Sequence, residues 1–285
     1  METASSSGLR RNEQLLGVAG VVALVAATGI GMAMGAAKPV QIGWVAFAAM
    51  VGGVVLAIRA DHRRPSTLVW GSGLASGAMI VSVGLFLLPD ALNHHAKFGG
   101  LGVASGVIIG FSAHVVGHRL SHLDLPMDAT VAQLTAHAAA AGAIIGIVYG
   151  NMPELGPLLG IAIVSHKGPA GYAAADRLTR NGRSWYPILL PAAGVGVVAV
   201  LSSAVSLPAS APFRGLVFGF ATGVFLHVAM DFLPRCELGS EVHDALSVDA
   251  DAHEVLDRLR LHAVASTLLG GVVVALLWWF ASPGA

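Results

Sequence analysis

Charge is what this sequence has least of. Only 11% of its 285 residues are Asp, Glu, Lys or Arg, against roughly 25% in soluble globular domains. A shortage of that size excludes a water-facing globule. The 16 basic and 16 acidic residues cancel, and no basic stripe or arginine-rich arm is present, which argues against nucleic acid as a partner. Cys236 is the single cysteine, so there is no disulfide scaffold and no CxxC metal or redox motif. HExxH, GxSxG and a Ser/His/Asp constellation are also missing, and no enzyme is expected.

Apolar residues make up 55% of the chain, with 36 glycines and a mean hydropathy of +0.74. A bilayer core needs about 20 apolar residues per helix. Nine stretches meet that length, at 14–37, 41–58, 67–93, 98–118, 130–150, 155–179, 185–207, 213–234 and 260–282. The expected fold is an all-α polytopic membrane helix bundle forming one domain over 1–285.

Nine spans put the termini on opposite sides, and the basic residues test that count. Arg10, Arg11, Arg59, Arg63, Arg64, Arg119, Arg177, Arg180, Arg183, Arg235, Arg258 and Arg260 fall on the N-terminal side, whereas only Lys38, Lys97 and Arg214 fall on the other. Positive residues stay cytoplasmic. The expected location is therefore the cell membrane, with the N-terminus inside and the C-terminus outside. Gly31-x3-Gly35, Gly73-x3-Gly77 and Gly219-x3-Gly223 are spacings that let helix backbones approach closely.

Two spans look alike. The third reads Gly73-Leu-Ala-Ser-Gly77-Ala-Met79 and ends FLLPD; the eighth reads Gly219-Phe-Ala-Thr-Gly223-Val-Phe225 and passes through Asp231 to FLPR. The distance from the second glycine to the proline differs by one residue. The eighth comes five spans after the third, an odd number of crossings, so they cross in opposite directions, the pattern of an inverted repeat as found in transporters.

Ionisable residues at membrane depth cost roughly 2.5–3.5 kcal/mol each on insertion scales and face a polar interior or pathway. His137 lies in the fifth span, and His166-Lys167-Gly168-Pro169 near the centre of the sixth. Pro169 lacks a backbone donor and is expected to break or bend the helix, freeing carbonyls for an ion. Buried packing is the plainer explanation for one such histidine; two on adjacent spans beside a proline favour an ion site.

At these residues the chain resembles the ZIP family of zinc/iron-type transporters. The family's fourth core helix carries a His-Asn/Ser-x-x-Asp/Glu-Gly type motif, matched here by His137 and Gly142. Its fifth carries a His-x-x-Pro-Glu-Gly type motif, matched by His166, Pro169 and Gly171. The third span, with Met79, looks like the family's second helix, and the eighth like its seventh. The resemblance implies an eight-helix core over 41–285, with residues 1–40 adding a tail and an extra helix. It also implies import of a divalent ion, zinc or similar, towards the cytoplasm. Several positions depart from the pattern. Ala138, Ala141 and Ala170 stand where the family has polar or acidic groups, and Lys167 where it often has Asn, Asp or Glu. The metal ligands that remain are His137, His166 and Met79, with Lys167 in the place of a second metal as a tethered cation. Imidazoles suit Zn, Cu, Fe or Ni, and a thioether favours a softer ion.

Further candidates lie towards the two faces. Asp90 and His94, four apart at the outer mouth, could receive an ion. His114, His118 and His122 recur every four residues and suggest a cytoplasmic exit. His227 and Asp231 would line the inner half of the pathway. The acidic stretch from Glu237 to Asp257 reads as a solvated face. Expected partners are the bilayer and the transported ion, with a homodimer left open and no resident cofactor. The competing reading is a transport-inactive relative with a regulatory or structural role.

Overall fold

The structure, a computed structural model, describes residues 2–59, 65–120, 128–152, 160, 164, 166–208, 210–234 and 252–281. All regular structure among them is helical: α1 (Glu2–Ala33), α2 (Ala37–Arg59), α3 (Pro65–Ser82), a π turn (Val83–Leu87), α4 (Leu88–His94), α5 (Ala96–Leu120), α6 (Ala129–Asn151), α7 (Lys167–Arg180), a 3-10 turn (Tyr186–Ile188), α8 (Leu189–Ser202), α9 (Ala211–Asp231) and α10 (Ala252–Ala281). The chain is a polytopic membrane helix bundle.

Among the described residues seven stretches are long and apolar enough to cross a bilayer: Gln14–Ala33, Ala37–Arg59, Ser66–His94, Ala96–Ala113, Thr130–Asn151, Ala211–Asp231 and Glu254–Phe280. Nine were expected. The seventh expected span is shorter than anticipated, running Tyr186–Ser202. Gly182, at φ +65°, turns the chain before it. At its far end the hydroxyls of Ser202 and Ser203 bond back to the carbonyls of Val198 and Val200, both at 2.7 Å. Of the sixth, the described helix is α7; residues 153–159, 161–163 and 165 lie outside the described residues.

The chain forms two compact units, Met1–Arg59 with Ser112–Leu207, and Ala60–Phe111 with Pro208–Ala285. In the first, glycines set the register. A Cβ on Gly17 or Gly20 would meet Tyr186 or Leu190, and one on Gly31 would meet Val200, so α1 and α8 run parallel. Gly142, Gly146 and Gly150 meet Val195, Ala199 and Ser203, so α6 is parallel to α8 as well. Gly43 faces Gly196 and Val40 packs on Val200, which makes α2 antiparallel to both. Gly168 approaches Ala49 and Gly53 touches Tyr172, which lays α7 along α2 in the same direction. One end of this unit therefore gathers Arg59, Arg177, Arg180 and Arg183, while Lys38 stands at the other. Arg183 bonds Asp128 Oδ2 at 2.7 Å, and Asp128 Oδ1 caps α6 by accepting Thr130 N–H at 2.8 Å.

In the second unit the two look-alike spans are α3 and α9. Gly73 and Gly77 lie on Ser266 and Thr267, and Gly270 on Leu74, pairing α3 with a parallel α10. Gly219 and Gly223 lie on Gly102 and Gly106, pairing α9 with a parallel α5. Ser76 Oγ donates to Ala229 O at 2.7 Å, and the His94 ring lies 5.3 Å from that of Phe218, so α3 and α9 are antiparallel. A turn with i→i+5 bonds holds one residue more than an α turn. The π turn Val83–Leu87 follows α3, and α9 has no counterpart, which accounts for the one-residue difference before the proline. Trp70 Nε1–H donates to His262 Nδ1 at 2.8 Å and ties α3 to α10 again.

The third small-residue motif is not a packing face. Gly31 packs, but Gly35, at φ +74°, has nothing near its Cβ position. It ends α1: Ala36 N–H bonds Gly31 O and Gly35 N–H bonds Met32 O, the two bonds of a left-handed helix stop that favours glycine.

Glycine substitutions should separate these roles in thermal unfolding. Gly223→Val drives a side chain into the Val103 carbonyl and should cost at least about 1–3 kcal/mol, as overpacking does. Gly52→Ala, in open space on α2, should be neutral or stabilise by up to about 1 kcal/mol.

Candidate functional site

The first unit places the two expected histidines together. His137 stands a third of the way along α6, and His166 caps the start of α7. Their Nε2 atoms are 3.3 Å apart and the rings cross at 75°. His166 is fully buried and His137 partly so. At that distance one ring donates its N–H to the lone pair of the other, so the pair does not form with both Nε2 atoms protonated. The same separation suits shared coordination: two nitrogens each 2.0–2.1 Å from a tetrahedral ion lie about 3.3 Å apart.

The helix anchors hold this geometry. Gly142 seats α6 on α8, Gly43 seats α2 on α8, and Gly53 and Gly171 seat α7 on α2. Residues 160 and 164 are helical, His166 forms a turn and α7 starts at Lys167, so the helical run is interrupted just before Pro169. Pro169 is the third residue of α7, in the first turn, where an N–H has no acceptor within the helix. The His166 carbonyl is not released for an ion, because it accepts Ala170 N–H at 3.0 Å.

Lys167 is fully buried, and among the described residues its Nζ has no hydrogen-bond partner. It is the first residue of α7, where the helix dipole presents positive charge and disfavours a cation by about 0.3–1 kcal/mol. Ala138, Ala141 and Ala170, at the polar positions of the ZIP pattern, are all buried. One carboxylate escapes the motif frame. Asp176, on α7, is only 3% exposed. Its signal in the sequence is slight: an acid at the end of an alanine run, four residues after Tyr172.

The remaining candidates lie on other elements. Met79 lies in the second unit, buried against Val228 and Ala229, as an apolar core residue does. His94 Nδ1 lies 2.9 Å from the Asp90 backbone oxygen and 3.7 Å from its carboxylate, so the nearer contact belongs to the helix itself. His227 Nε2 is 3.8 Å from Asp231 Oδ2, half-buried, with the ring standing over Gly110 and edge-on to Phe111. His114 and His118 fall on α5 and His122 lies outside the described residues, as do Glu237 and most of the acidic stretch. At the Lys38 end of the first unit a cavity of about 310 Å³ is lined by Met34, Lys38, Pro39, Tyr149 and Ser203 among others. Among the described residues no three His, Cys, Asp or Glu side chains gather closely enough to hold a metal ion.

A double-mutant cycle on His137→Ala and His166→Ala, read by thermal unfolding, should give a coupling of about 0.5–3 kcal/mol, as for residues in direct contact. Additive effects would mean that the rings do not interact.

Comparison of the chain with known protein families finds no match, and no curated protein matches it.

Proposed function

We propose that the chain is a ZIP-like transporter that moves a divalent transition-metal ion, zinc or similar, towards the cytoplasm. The observation that carries this reading is the His137–His166 pair, with two imidazole nitrogens at the spacing that a shared tetrahedral ion needs. The antiparallel run of α3 and α9, each closed on a parallel partner through glycines, supports an inverted repeat of the kind that transporters use. The gathering of Arg59, Arg177, Arg180 and Arg183 at one end of the first unit supports a cytoplasmic assignment for that end. Two imidazoles fill half of a tetrahedral shell, so water or backbone oxygen completes it, and the ion is held weakly and released quickly.

A second reading, a transport-inactive relative, is favoured by one observation. The alanines at 138, 141 and 170 leave the histidine pair without an anionic neighbour at the motif positions, beside the buried Lys167. Uptake of Zn²⁺ or Co²⁺ into proteoliposomes decides between the two. Wild type should accumulate the ion. The His137→Ala/His166→Ala variant should lose at least about tenfold, since even a group behind a metal ligand is worth 10–100-fold in affinity. No uptake of any tested ion by folded wild type would leave the second reading.

A further inference from the structure

A buried ammonium group costs several kcal/mol unless something negative or hydrogen-bonding faces it. Lys167 has neither among the described residues: it is fully buried and its Nζ makes no hydrogen bond. Its place in the fold compounds the cost. It opens α7, a helix of 14 residues, and the start of a helix is itself an anion-seeking site through its N–H groups and dipole. Helical side chains lean towards the N-terminus of their own helix. The four-carbon stem of Lys167 therefore carries its amine beyond the start of α7 and adds donors to those the helix end supplies. The preceding residue, His166, is buried with it and holds a ring of the histidine pair. The nearby positions 138, 141 and 170, where a carboxylate or amide could have balanced this charge, carry only methyl groups.

We propose that the start of α7 binds a small monovalent inorganic anion, of chloride or nitrate size, on the Lys167 amine. The anion is the missing acceptor for that amine. Resting on the transport reading above, it also brings a negative charge to a divalent ion on His137 and His166, so that cation and anion occupy the site together. A net charge of +3 from a divalent ion and an ammonium falls to +2 with one such anion. The repulsion between the two cations is then screened at short range, where the low dielectric makes it largest.

Thermal unfolding of the purified full chain, without transition metal and at constant ionic strength, tests the site. Chloride or nitrate should raise the Tm of wild type saturably relative to gluconate, which is too large to enter. Lys167→Met should abolish that shift. It should also unfold at a higher temperature than wild type in gluconate, because it removes an unpaired buried charge. Lys167→Arg should keep a saturable shift with affinity within about tenfold of wild type, the size of one charge-assisted hydrogen bond. An anion effect that is absent in wild type, or undiminished in Lys167→Met, overturns the proposal. The transport reading is tested apart from it. Metal uptake that is equal in chloride and gluconate overturns the joint occupation of the site by cation and anion and leaves transport standing. An Lys167-dependent Tm shift without any metal uptake does the reverse.

Discussion

Close approach of helix backbones at glycine is the constraint on which the rest of this structure depends. Lipid tails are as apolar as leucine, so helices in a bilayer gain nothing from hydrophobic burial against one another and must gain from contact. In the first unit the contacts at Gly43–Gly196, Gly142–Val195 and Gly53–Gly168 form a chain of dependence. α6 and α2 both take their positions from α8, and α7 takes its position from α2. His137 and His166, 29 residues apart in sequence, meet only because each link in that chain has no side chain to hold it open. The pair rests on atoms that are absent elsewhere.

The electrostatics follow from the same economy. A bundle packed on glycine and alanine has little room for the polar partners that a buried charge requires, and Lys167 shows the result. Its burial is tolerable only through discharge or through an acceptor from outside the described side chains, and the start of α7 is built to attract one. The buried Asp176 stands nine residues further along the same helix, about 13 Å away at 1.5 Å per residue. Measured around the helix, it lies half a turn from Lys167. That distance and direction prevent the two from neutralising each other directly. They stand at two levels of α7, on opposite sides of the helix.

Several of these features were legible in the sequence because their physics is local. Gly73-x3-Gly77 and Gly219-x3-Gly223 do bring backbones together, since a pair of glycines on one helix face has few other uses inside an apolar run. The histidine pair was legible because ionisable residues are rare at membrane depth. Other features depend on what spacing does not record. Gly31-x3-Gly35 has the same spacing as the packing motifs, yet Gly35 serves as a left-handed stop, a matter of φ that composition does not reveal. The one-residue offset between α3 and α9 looked like a flaw in the repeat and is accommodated by a π turn. Asp176 is not legible from the motif frame, because it lies on α7 outside the motif positions and nothing in the local pattern marks it as buried. Met79 carries a plausible ligand atom but sits in an apolar cluster of the second unit, which no linear pattern distinguishes from a site.

The replaced positions bear on why this chain departs from the ZIP pattern. Ala138 is fully buried, and a Cβ built on Gly194 of α8 would lie 3.9 Å from its methyl group. A longer side chain at 138 would extend over Gly194, which has no side chain of its own. Four residues on, Gly142 already touches the Val195 carbonyl, so α6 cannot retreat at one position without losing contact at the next. On α7, Ala170 is buried and its neighbour Gly171 is pressed on Met50, which limits the room for a glutamate there in the same way. Alanine at these sites is therefore coupled to the packing that brings His137 and His166 together. A carboxylate at one of these positions would loosen the contact that positions the two histidines. A chain built this way gains an anionic partner more readily from solution than from its own side chains, because a diffusing anion needs only the space it fills and leaves the helix contacts intact.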